Sequence, residues 1–170
     1  MNEPQTVPDP KRVNKAIAYA ARLLGVREYA RRTLNQKLLT KGYTEEEADE
    51  VMAYLVQHNW ISDERFCESF VRSKAARGQG LTRIRAELYQ HGIEQSLIDE
   101  VVELQDICWQ QLCDETAAKK AVVVGISNEP RSRAKLERFL RYRGFSSEQI
   151  VHSINKCINN VGVMSGEYDQ

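Results

Sequence analysis

Glycine and proline are scarce in this chain, at 9 and 4 of 170 residues. A β-sandwich or barrel of this length needs many short strands punctuated by turn formers, so their scarcity argues for an all-α fold. No long hydrophobic run is present. The longest wholly apolar stretches, such as Ala121 to Val124, fall far short of the roughly 18 residues of a membrane span, so no membrane partner is expected. Net charge is also missing: 24 Lys and Arg balance 24 Asp and Glu, which argues against a polycation that coats DNA. Cys67, Cys108, Cys113 and Cys157 form no C-x-x-C pair, and His58, His91 and His152 lie far apart. That pattern gives no support to a zinc site and predicts free thiols in a reducing, cytoplasmic compartment. Nucleotide-binding and hydrolase signatures are absent as well, so the chain is expected to be no enzyme and to need no cofactor.

Three of the four prolines fall within Met1 to Pro10, which predicts a disordered N-terminal arm over residues 1–13 and no cleavable leader. Beyond it the glycines set a register. When Gly42, Gly92 and Gly144 are aligned, Leu34, Ile84 and Leu136 stand eight residues before them and Leu38, Leu88 and Leu140 four before. Tyr43, Ile93 and Phe145 follow by one residue, and Ala48, Ile98 and Ile150 by six. All twelve positions are apolar. At 42% apolar composition the chance of that is about 3 in 100,000 before allowing for the choice of register.

The spacing has a physical cause. If each glycine is the left-handed residue just past a helix, the leucine four before it and the apolar residue one after it are the pair that touch in a Schellman cap. Thr44 with Glu47, and Ser146 with Gln149, fit capping boxes that open the next helix. A further helix is predicted ahead of each pair, over Asn14 to Leu24, Asp63 to Ala76 and Leu104 to Val122. The chain then reads as three tandem three-helix repeats, over 14–59, 60–104 and 105–158, with a frayed tail over 159–170. Each repeat alone is marginal in size, so the repeats are expected to stack.

Charge is segregated within this plan. From Arg72 to Ala86 there are five cations (Arg72, Lys74, Arg77, Arg83, Arg85) and no acid; from Arg131 to Arg143 there are six (Arg131, Arg133, Lys135, Arg138, Arg141, Arg143) against Glu137 alone. Arg27, Arg31 and Arg32 form a third cluster. Acids such as Glu45, Glu46, Asp99 and Glu100 favour the helix after the glycine. Such clusters fit solvated helix faces. Recurring at matched repeat positions, they also fit a basic stripe that follows a phosphate backbone or the acidic face of a protein filament. The Gly78-Gln79-Gly80 turn reads as a joint between helices rather than a phosphate loop.

One stretch carries a resemblance. Trp60-Ile61-Ser62-Asp63-Glu64-Arg65-Phe66-Cys67-Glu68-Ser69-Phe70-Val71-Arg72-Ser73, followed by Gly80-Leu81-Thr82-Arg83-Ile84-Arg85-Ala86-Glu87-Leu88 and Gly92-Ile93, resembles the central signature of the RecX family of bacterial recombination regulators. Ala21-Arg22-Leu23-Leu24-Gly25-Val26-Arg27-Glu28 and Lys135-Leu136-Glu137-Arg138-Phe139-Leu140-Arg141-Tyr142-Arg143-Gly144-Phe145 resemble its flanks. Two departures stand out: Asn59-Trp60 replaces the usual glycine-plus-aromatic turn, and Tyr29 sits where a capping serine is common.

The resemblance implies three three-helix repeats in an elongated, curved array. It also implies a protein that binds the RecA recombinase or its filament on single-stranded DNA and inhibits ATPase, strand exchange and coprotease activity, so tuning recombination, DNA repair and the SOS response; the chain is separately expected to be a monomer. The fourteen cations named above would form the face toward RecA or DNA, with contact to bare single strands weak or made through RecA. Charge reversal at Arg77, Arg83 and Arg85 is expected to weaken inhibition without loss of folding. A stand-alone helix-turn-helix DNA binder and a generic helical adaptor are the competing readings.

Overall fold

A computed structural model describes residues 8–127 and 129–165, with side-chain environments through residue 160. Among the described residues there are nine helices and no strand: α1 (Pro10–Leu24), α2 (Arg31–Thr40), α3 (Glu45–Gln57), α4 (Asp63–Ala76), α5 (Leu81–Gln90), α6 (Gln95–Leu104), α7 (Trp109–Val124), α8 (Pro130–Arg143) and α9 (Ser147–Ser165). The chain divides into two compact units. The first runs through Ser69 and takes in Leu88–Val101; the second comprises Phe70–Glu87 and everything from Val102. The middle three-helix segment is therefore shared, with α4, α5 and α6 each contributing residues to both units.

The glycine register is the skeleton of each helix pair. Gly42, Gly92 and Gly144 have φ of +96°, +80° and +91°. The amide one residue past each glycine donates to the leucine carbonyl five residues earlier: Tyr43 to Leu38 at 3.2 Å, Ile93 to Leu88 at 3.2 Å and Phe145 to Leu140 at 3.3 Å. These are Schellman caps. Asn59 makes the same closure at φ +55°, with Trp60 N donating to Leu55 O at 2.8 Å; asparagine tolerates the left-handed region better than other non-glycine residues. Of the twelve aligned apolar positions, Tyr43 is half-buried and the rest are buried. Each full burial of a Leu or Ile contributes about 1.5–3 kcal/mol.

In the first unit α1, α2 and α3 pack around Val13, Ala16, Ala20, Leu34, Leu38 and Val51. In the second, α7, α8 and α9 pack around Cys113, Ala117, Leu136, Leu140, Ile150 and Ile154. Both predicted capping boxes form, Thr44 with Glu47 and Ser146 with Gln149. α4 spans the predicted Asp63–Ala76, and Ser62 Oγ accepts from Arg65 N at 3.2 Å.

Three predicted boundaries differ. α1 starts at Pro10 rather than Asn14, because Asp9 accepts from Lys11 N at 3.0 Å and Pro10 sits in the first turn, where its missing N–H costs no helical bond. Of the predicted disordered arm, residues 1–7 lie outside the described residues. α6, not the next helix, contains Leu104; α7 opens only at Trp109, after a turn in which Asp106 takes φ +46°. α9 continues to Ser165, past Cys157, the last buried position through residue 160, since extending a formed helix needs only one bond per added residue. Residues 166–170 of the predicted tail are likewise outside the described residues.

Candidate anion-binding surfaces

α8 shows how a basic face is made. Pro130 occupies the first turn, Leu136 and Leu140 bury one stripe, and the buried Ser132 hydroxyl donates to the carbonyls preceding it, Ser127 at 3.0 Å and Glu129 at 2.9 Å. The remaining helix surface exposes Arg131, Arg133, Lys135, Arg138 and Arg141. Arg141 pairs with Glu137 at 2.6 Å and Arg133 reaches Asn155 at 3.4 Å. Arg131, Lys135 and Arg138 pair with no carboxylate among the described residues.

The junction of α4, α5 and α8 in the second unit consumes other cations. Gly80 N donates to Arg143 O at 2.8 Å and Thr82 N to Gly144 O at 3.2 Å, so the opening amides of α5 meet the closing carbonyls of α8. A Cβ on Gly80 would lie 2.3 Å from Gly144 O, so only glycine permits this approach. Arg143 Nη1 donates to Arg77 O at 2.7 Å. Arg83 donates from Nη1 to Tyr142 O at 3.2 Å and from Nε to Glu87 at 2.8 Å, with its guanidinium 4.8 Å from the Tyr142 ring centroid. Lys74 also pairs with Glu87. Burial opposes ionisation of Glu87, but hydrogen bonds from Arg83 and Lys74 outweigh it and hold the carboxyl below its ordinary value. Arg83, Arg143 and Lys74 thus brace the fold.

Among the other predicted residues, Arg72 and Arg77 are exposed and Arg85 is half-buried. In the first unit Arg27 lies over the Tyr29 ring at 4.5 Å. Arg31 is held by Asp63: its amide donates to Oδ1 at 2.8 Å and its Nε is 3.8 Å from Oδ2. α2 has no side-chain cap from its own preceding residue, Ala30. Asp63, 32 residues later, supplies it.

Two open grooves join cations from the arginine-rich runs with lysines that the runs did not single out. One, of about 520 Å³ in the second unit, is lined by Arg77, Lys119, Lys120 and Arg143 with Phe139, and by one carboxylate, Glu115. Lys120 and Arg143 both lie 5.1 Å from the Phe139 centroid. The other, also about 520 Å³ and in the first unit, is lined by Arg32, Lys37 and Lys41 with Tyr19, Gln36 and Gln90, and by no carboxylate. The i, i+4 spacing of Lys37 and Lys41 was the available signal; with Leu38, Leu39 and Thr40 between them they form no run of consecutive charge.

The nine helices among the described residues, most of them closed by left-handed turns, and the cation-rich grooves define an all-helical repeat protein. Among the described residues no cluster of His, Cys, Asp or Glu could hold a metal. No described helix is long and apolar enough to cross a membrane. Residues 16–55 match the model of the RecX first three-helix domain and residues 62–102 that of the RecX second three-helix domain. The chain is similar to the regulatory protein RecX of Chromohalobacter salexigens, 39% identical over 141 residues that cover 83% of this chain and 91% of the relative. It is also similar to that of Yersinia enterocolitica, 33% identical with coverage of 86% and 99%. A crystal structure of RecX from Lactobacillus salivarius superposes with a TM-score of 0.72 at 21% identity, covering 86% of this chain and 97% of that one. A second crystal structure, of a regulatory protein RecX, does so at 0.72 and 24% identity, covering 89% and 81%. The chain belongs to the RecX family, and its role is regulatory.

Proposed function

We propose that this chain is a negative regulator of the RecA recombinase, acting in the cytoplasm as a monomer on RecA or its filament on single-stranded DNA and lowering ATPase, strand-exchange and coprotease activity. Recombination, DNA repair and the SOS response are the processes it would tune. The observation that carries the reading is α8, where six cations meet one acid between Pro130 and Arg143 while Leu136 and Leu140 hold the helix in the core. Regulation of this kind needs no chemistry from the regulator. The three repeats, over 14–59, 60–104 and 105–158, each add a modest contact that becomes effective once a neighbouring repeat is engaged.

The exposed cations Arg72, Arg77, Arg131, Lys135 and Arg138 are the contact residues of choice, with Arg27, Arg32, Arg133 and Arg141 beside them. Arg83 serves by bracing the junction, so its reversal would lower stability as well as inhibition; the triple reversal with Arg77 and Arg85 cannot separate the two. The test is RecA ATPase on single-stranded DNA titrated with substoichiometric chain. Inhibition that weakens in Arg131→Glu/Arg138→Glu, at unchanged Tm, supports the reading; no inhibition by the unaltered chain overturns it. A stand-alone DNA binder would instead bind single strands through about six phosphates, with a log-log salt slope near about −4, and leave RecA ATPase on saturating single strand unchanged. A generic adaptor would bind neither.

A further inference from the structure

The first-unit groove carries features that the arginine-rich α8 does not. Arg32, Gln36 and Lys37 of α2 and Lys41, which caps it, line the groove with Tyr19 of α1 and Gln90 of α5. Its cations face no acid: Arg32, Lys37 and Lys41 pair with no carboxylate among the described residues. They are nevertheless placed. Lys41 Nζ lies 5.8 Å from the Tyr19 ring centroid and Lys37 Nζ 5.8 Å from that of Tyr29. The Arg32 stem crosses the Gly92 turn, where a Cβ would stand 2.7 Å from Arg32 Cδ.

We propose that this groove is a phosphate-backbone site for single-stranded nucleic acid, with Arg32, Lys37 and Lys41 each neutralising one phosphate. Arg, Lys, Gln and Tyr are among the side chains that hydrogen-bond phosphate oxygens in nucleic-acid complexes, and the groove is built from them. Lysine ammoniums are compact point charges that meet a phosphate oxygen from any direction, and the planar Arg32 fork can meet one bidentately. Tyr19 at the groove edge supplies the aromatic element that single-strand sites combine with a basic track. The assignment rests on the reading above for its setting, and names which partner the first unit holds.

The test uses the full chain, without RecA, and fluorescence anisotropy of a labelled oligothymidylate across a salt series. Two lysines lost to Lys37→Gln/Lys41→Gln should make the log-log salt slope shallower by about 1.4 and weaken binding by about eightfold per lysine at about 0.05 M salt, from a slope of about −0.7 per single-strand phosphate. Lys37→Arg/Lys41→Arg, which keeps the charge, should bind with the unaltered slope. An unchanged slope and affinity in the Gln variant, at a Tm equal to that of the unaltered chain, overturns the proposal, as does a failure of the unaltered chain to bind the oligonucleotide at low salt. Unchanged oligonucleotide binding with loss of RecA inhibition overturns it too, and assigns the groove to a protein partner. A chain whose oligonucleotide binding falls as expected but which never inhibits RecA ATPase sinks the RecA reading and leaves the groove assignment standing.

Discussion

Gly80→Ala is the sharpest test of how the second unit is held together. The added methyl would sit 2.3 Å from Gly144 O, 2.4 Å from Gly144 C and 2.6 Å from Phe145 N. All three are backbone atoms of the turn that closes α8, so no side chain can swing away. Relief requires α5 to retreat, which stretches the bonds from Gly80 N to Arg143 O and Thr82 N to Gly144 O. Overpacking costs about 1–3 kcal/mol, and the two bonds about 1 kcal/mol each. Against this stands a gain of about 0.5–1 kcal/mol from the lower entropy of the unfolded chain. The net loss is about 2–4 kcal/mol, and with about 2–4 °C per kcal/mol for a chain of this size the second unit's melting transition should fall by on the order of 10 °C. Gly25→Ala is the control. Its nearest neighbour would be Ala21 O at 3.4 Å and its φ is −66°, so its Tm should stay level or rise slightly. A Gly80→Ala protein that melts within about 1 °C of the unaltered chain, by circular dichroism, would refute the close approach.

Other expectations follow from the same geometry. Asp63→Ala should cost about 1 kcal/mol in urea unfolding through loss of the cap on α2, and Asp63→Asn less, since an oxygen acceptor remains. Acid should destabilise the fold. Arg12 and the Thr44 amide, by hydrogen bonding, hold Glu47 below its ordinary 4.5. Burial opposes ionisation of Asp114, but Lys156, Ser153 and Gln110 outweigh it and hold the group below its ordinary 3.8. A carboxyl depressed in the folded state contributes stability above its unfolded pKa and loses it as pH falls through the folded one. Tm should therefore be flat above about pH 5 and drop below about pH 4.5, with a shallower drop in Glu47→Gln. Thiol titration with Ellman's reagent should find Cys108 reacting first. It is exposed, whereas Cys67, Cys113 and Cys157 are buried and burial pushes the Cys67 thiol up to about 11. Four equal fast rates in native buffer would refute this.

The helix plan was legible because its signals are local. A left-handed glycine, a leucine four before it and an apolar residue after it meet within one turn of chain, so the spacing around Gly42, Gly92 and Gly144 was enough. The boundaries at Pro10, Trp109 and Ser165 were less legible. A proline at the first turn and one outside a helix read alike, and a helix can outrun its buried stripe.

The site divides along the same line. Sequence by itself determined that cations gather on α8 and around α4 and α5, because composition and period are properties of consecutive residues. Only tertiary structure decided which of those cations remain available. Arg83, Lys74 and Arg143 turn inward because Glu87 and the carbonyls of Tyr142 and Arg77 need partners, while Arg131 and Arg138 face outward because Leu136 and Leu140 take the buried stripe. Tyr19 and Gln90 close the groove over the α2 cations, and Asp63 caps α2 from 32 residues away, through contacts between elements distant in the chain. Such contacts leave no periodic trace in a single sequence, since each depends on where two helices meet and not on the spacing within either.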